Sequence, residues 1–70
     1  MVLDSCVKEK DYIIDDVPEV QLLKALGIRK GVKFEVQTKL PLQGPVVIKI
    51  GNRSIAVDKS LAREIEVQEV

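Results

Sequence analysis

The chain has 70 residues, 46% hydrophobic and 31% charged, a composition that folds and that at this length supports a single domain, residues 1–70, with a thin core. Eleven basic residues balance eleven acidic ones, so there is no net positive field to gather nucleic acid at long range. Cys6 is the only cysteine and histidine is absent, which removes an intrachain disulfide, a cysteine metal cluster and the commonest general base and metal ligand.

The opening MVLDSCVKEK has neither the basic leader nor the apolar stretch of a secretory signal, and no window approaches a membrane span. The expectation is a soluble cytoplasmic protein with no direct membrane insertion. Residues 11–17, DYIIDDV, centre on Tyr12, Ile13 and Ile14 and predict a first strand. Val17 precedes Pro18 and is biased toward extended backbone, while the fixed φ of Pro18 suits the first position of a helix. A short α-helix is therefore predicted from about Pro18 to Leu26, with Glu19 and Lys24 placed favourably for its dipole. The spacing of Leu22, Leu23 and Leu26 predicts one buried stripe. A left-handed Gly27 would close the helix and fold Ile28 back onto Leu23. IRKG then reads as a tight turn, with Gly31 at its last position or at positive φ.

VKFEVQT, residues 32–38, alternates Val32, Phe34 and Val36 against Lys33, Glu35 and Gln37, the period of a strand with one wet face. Phe34 is expected at the centre of the core. KLPLQGP, with two prolines and a glycine, is a loop. PVVIKI, GNRSIAV and REIEVQEV supply three more strands, the first two joined at the turn dipeptide Gly51–Asn52. Between the last two, Asp58 caps a helical turn that buries Leu61 and Ala62. The predicted class is all-β, about five strands with one short helix and a helical turn before the last strand. So small a sheet protects its edges by curling, which makes a small, partly open barrel.

Little reactive chemistry is available. Asp15 and Asp16 are the only adjacent carboxylates, and neighbours on a strand point to opposite faces, a poor arrangement for an acid/base couple. Cys6 lacks a basic neighbour of fixed geometry and reads as a small buried hydrophobe. The glycines do not have phosphate-loop spacing. Base-stacking and proline-peptide surfaces need exposed aromatics, and the chain has only Tyr12 and Phe34, of which the alternation assigns Phe34 to the core. What remains is a non-enzymatic surface for another protein, with no catalytic residue, no metal ligand and no cofactor.

LLKALGIRKGVKFEV, the P-x-x-G-P loop ahead of an apolar strand, and IAVDKSLAREIEV together resemble the ferrous-iron transport protein A family (FeoA), from about Tyr12 to Val67. The same unit recurs as the terminal domain of iron-dependent repressors of the DtxR type; the length separates the two, since 70 residues leave no room for a DNA-binding module. The resemblance implies an SH3-like barrel. It also implies a cytoplasmic accessory of the membrane ferrous-iron transporter, acting by contact with that transporter's cytosolic GTPase domain. The alternative it leaves open is a metal- or ligand-responsive regulatory module. The family often has a glycine where this chain has Lys8–Glu9–Lys10–Asp11. Leu40 and Leu42 either cover the open barrel end or face a partner, and Arg29 and Lys30 form a second candidate contact. A domain this small also gains stability by self-association, so a homo-oligomer is a further expectation.

Overall fold

The computed structural model describes residues 1–39 and 44–70. Its elements are a 3₁₀ turn Leu3–Ser5, β1 Asp11–Asp16, α1 Gln21–Ala25, β2 Lys33–Lys39, β3 Val46–Ile50, β4 Arg53–Val57, α2 Lys59–Ala62 and β5 Glu66–Glu69. The strands form one antiparallel sheet in the order β4-β3-β2-β1-β5. This is the predicted five-stranded, mostly β architecture.

Alternation decides which face is dry. Tyr12 and Ile14 of β1, Phe34 and Val36 of β2, Val46 and Ile48 of β3, and Ile55 and Val57 of β4 all point inward. Registers shift between Ile14 and Asp16 on β1 and between Val36 and Thr38 on β2. Such bulges bend a strand and increase its twist, which curls the sheet around this core. Tyr12 and Phe34 are direct cross-strand partners, and their rings stack with centroids 5.7 Å apart. Tyr12 is as deep as Phe34, so neither ring is available to a ligand: Tyr12 is 1% exposed and its hydroxyl accepts the Val7 N–H at 3.0 Å.

The first helix differs from expectation. It begins at Gln21 rather than Pro18 and is five residues long. Val20 is extended (φ −118°, ψ 121°), and its N–H bonds the Pro18 carbonyl at 2.8 Å, closing a three-residue turn ahead of the helix. Pro18 therefore serves the turn, and Glu19 lies outside the helix. With little more than one turn, α1 buries a single row: Leu23 is buried, Leu26 is half-buried, and Leu22 is 56% exposed.

The helix end follows the predicted pattern. Gly27 has φ +82°, the Gly27 N–H bonds the Lys24 carbonyl at 3.1 Å and the Ile28 N–H bonds the Leu23 carbonyl at 2.9 Å. These are the two bonds of a Schellman motif, with Ile28 and Leu23 buried as its hydrophobic pair. The β3–β4 hairpin closes at Ile50–Arg53 around Gly51–Asn52, and positive φ at Gly51 alone gives a type II′ turn. Asp58 caps α2, accepting the Ser60 N–H at 3.1 Å.

The N-terminal segment is an element that the sequence reading left without structure. Val2 bridges Glu66, and the Leu3 N–H and Met1 carbonyl bond Ile65 and Val67, so Met1–Leu3 covers the outer edge of β5. Leu3 and Cys6, three apart on a 3₁₀ turn, both enter the core.

Candidate functional site

Arg29 and Lys30 sit where α1 hands the chain to β2, and both are exposed. Two glycines position them. Gly27 ends the helix, and Gly31, at φ +89°, occupies the third position of a turn closed by the Val32 N–H to the Arg29 carbonyl at 3.2 Å. Positive φ at that position is the requirement of a type II turn. The turn is also tied down on β1: the Gly31 N–H bonds the Ile14 carbonyl at 2.8 Å, and the Ile14 N–H bonds the Val32 carbonyl at 2.9 Å. The guanidinium of Arg53 bonds the Leu26 carbonyl at 3.2 Å, bringing a third cation to the helix end. The result is a basic corner on a backbone fixed from several directions.

Leu40 and Leu42 lie outside the described residues. The stem before them is anchored: Lys39 Nζ donates to the carbonyl of Asp4 and, at 3.4 Å, to that of Cys6. Asp4 in turn pairs with Arg63 at 3.4 Å. The end of β2, the N-terminal turn and α2 are thus linked through one carboxylate and one lysine, a connection that no local sequence pattern signals.

Elsewhere the surface is of mixed charge. A groove of about 290 Å³ is lined by Asp11, Lys33, Phe34, Glu35, Lys49 and Gly51. Two carboxylates and two ammonium groups face it, so it has no dominant sign. Asp15 and Asp16, astride the β1 bulge, are both exposed. Among the described residues, no group of three or more His, Cys, Asp or Glu side chains could hold a metal ion, and no helix is long and apolar enough to cross a membrane. Burial pushes the Cys6 thiol up to about 11, against smaller opposing effects of Lys39 and the N-terminal amine. At neutral pH it is therefore the protonated, unreactive form.

The model of the FeoA domain matches residues 1–69. The chain belongs to the FeoA family. The match extends beyond the Tyr12–Val67 segment that carried the resemblance and takes in the N-terminal turn and its bridge to β5. Among solved structures, the FeoA fold here superposes on iron(II) transport protein A from Clostridium thermocellum with a TM-score of 0.89 at 34% identity, covering 100% of this chain and 46% of that one. An iron uptake regulatory protein (FeoA) superposes with a TM-score of 0.90 at 24% identity, covering 100% and 96%. ScaR, solved with bound Zn²⁺, shares the fold at a TM-score of 0.88 and 16% identity, with this domain spanning 37% of its length. No curated protein matches the chain.

Proposed function

We propose that this FeoA-family chain is a non-enzymatic, cytoplasmic accessory of ferrous iron transport that works by contact with the cytosolic GTPase part of the membrane iron transporter. The family match over residues 1–69 carries the reading, and the 34% identity to an iron(II) transport protein A supports it. The chain's resources suit a binding role. Both aromatic rings are committed to the core, the thiol is buried, and the basic corner at Arg29 and Lys30 is held in one shape before any partner arrives. A preformed contact loses less conformational entropy on binding than a loop that must be ordered. In this reading Arg29 and Lys30 steer encounter with an acidic patch, and Leu40 and Leu42 supply apolar contact. No cofactor takes part.

Binding of the isolated GTPase domain to this chain tests the proposal. Arg29→Glu with Lys30→Glu is expected to slow association about tenfold or more at low salt, an effect that shrinks as salt is raised. Leu40→Ser with Leu42→Ser is expected to weaken affinity while thermal unfolding stays unchanged; early unfolding would instead place these leucines in the core. Absence of any interaction by the unaltered chain refutes the reading. The second reading, a metal-responsive module, draws on the fold shared with ScaR. Calorimetric titration with ferrous iron and with zinc separates the two, because tight stoichiometric uptake belongs only to the second.

A further inference from the structure

The chain is neutral as a whole but not in its parts. Residues 20–57 carry seven cations and one carboxylate, Glu35, whereas residues 1–19 and 58–70 together carry four cations and ten carboxylates. The sheet turns this division of sequence into a division of space. The middle of the chain builds α1 and the three adjacent strands β2, β3 and β4, and its two ends build β1, β5, the N-terminal turn and α2. Six of the seven cations gather at one end of the basic half. Lys33 opens β2, Lys49 stands near the end of β3 opposite Glu35, and Arg53 opens β4 beside them. Arg29 and Lys30 occupy the turn that leads into β2, and Lys24 lies on α1, whose end Arg53 touches. All six are exposed, and Lys24, Arg29, Lys30, Lys33 and Lys49 have no ion-pair partner among the described residues. The ion pairs Lys10–Glu69 and Arg63–Asp4 lie within the acidic half. The seventh cation, Lys39, is at the far end of β2 and is spent on the Asp4 and Cys6 carbonyls.

We propose that the basic half adsorbs to the surface of an anionic lipid bilayer, with Lys24, Arg29, Lys30, Lys33, Lys49 and Arg53 toward the headgroups and the acidic half turned away. Overall neutrality does not oppose this, because screening hides the far half. Strands β3 and β5 are three spacings apart along the sheet, roughly 14 Å, against a Debye length of ~8 Å at physiological salt. A charged surface that meets β2 to β4 therefore feels the near cations far more than the distant carboxylates. Asp11, Asp15 and Asp16 on β1 mark where the basic character ends. The make-up of this half favours lipid over protein. Four of the six cations are lysine, which is depleted in specific protein interfaces, and such interfaces centre on aromatic or arginine anchors seated in pockets. Here both aromatic rings are buried, and of the large exposed hydrophobics among the described residues only Leu22 belongs to this half. Lysine ammonium groups on flexible stems suit mobile headgroups, to which each adds a similar increment of attraction. The inference does not rest on contact with a GTPase.

Co-sedimentation of the intact chain with two sets of vesicles tests the proposal, one of phosphatidylcholine alone and one of phosphatidylcholine mixed equally with phosphatidylglycerol. At low salt the mixed vesicles should bind at least about tenfold more tightly, and the difference should fade as salt is raised. Lys24→Glu with Lys33→Glu should lower binding to the mixed vesicles at least about tenfold while the unfolding midpoint stays unchanged. Lys24→Gln with Lys33→Gln should lower it by less, and it carries the test if the first pair unfolds. Lys8→Glu with Lys10→Glu makes the same change in net charge within the acidic half and should leave binding within about twofold of the parent. Equal binding to both sets of vesicles overturns the proposal, as does equal weakening by the acidic-half pair. Two further results overturn it by giving these cations to another partner: duplex DNA bound in place of the mixed vesicles, or Lys24 and Lys33 variants that weaken only association with the GTPase domain. The vesicles contain no GTPase domain, so failure of that contact leaves their outcome untouched.

Discussion

At Gly27 two constraints meet that are separate elsewhere in the chain. Its φ of +82° is a conformation that L side chains rarely adopt, and a Cβ there would lie 2.7 Å from Arg53 Nη2, the group that bonds the Leu26 carbonyl. Gly31 has φ +89° but open space around it. Gly31→Ala should therefore lose about 1–2 kcal/mol from backbone strain alone. Gly27→Ala should lose more, because the guanidinium must also leave its carbonyl. Chemical denaturation of both variants, with and without Arg53→Ala, checks this: equal losses would mean that the Arg53 contact contributes nothing. Both glycines were legible in the sequence as helix stop and turn. Glu9 was not legible: its φ of +68° places a non-glycine residue in the left-handed region ahead of β1, and its N–H bonds the Val36 carbonyl at 2.9 Å to hold the turn in place.

Among the elements, α1 separates what local pattern can decide from what it cannot. Three leucines at helical spacing predict a stripe, yet a helix of five residues has room for one buried row, and tertiary position selected Leu23 over Leu22. Leu23→Ala should cost about 2–5 kcal/mol, while Leu22→Ser should stay within ~0.5 kcal/mol of the parent. Thermal melts of the two variants measure the contrast, and a large loss at Leu22 would mean that its face is covered in solution. Strands β2 to β4 were readable because alternation with one wet face is a local signal. The start of α1 was not, because Pro18 suits a turn as well as a first helical turn. The Met1–Leu3 segment was not either, since its partners lie up to 66 positions away and no local window contains them. For the candidate site, the Arg29–Lys30 corner could be read from its flanking glycines, whereas the Lys39 anchor to the N-terminal turn depends on a contact spanning 35 positions.

For the molecule as a whole, closure runs through the two ends of the chain, and Cys6 reports on it. Burial raises the thiol from 9.0 to about 11 in the folded state. Below pH 9 the thiol is protonated in folded and unfolded chains alike, and its contribution to stability is fully present. Between about 9 and 11 the unfolded chain releases the proton while the folded chain keeps it, so stability falls as pH rises. Melting midpoints measured across this window should drop more steeply for the parent than for Cys6→Ala. Parallel profiles would mean that the thiol reaches solvent in the folded chain. A domain of this size has a total stability on the order of 4–10 kcal/mol, so a single buried ionisation moves it measurably.

The stacked pair of rings also fixes how unfolding is observed. With no tryptophan and a single tyrosine, the chain's only strong intrinsic emitter is Tyr12, lodged against Phe34 with its hydroxyl held by the Val7 amide. A fluorescence melt therefore watches one seam, where β1, β2 and the N-terminal segment meet. Loosening of the β3–β4 hairpin would pass unseen until that seam parts.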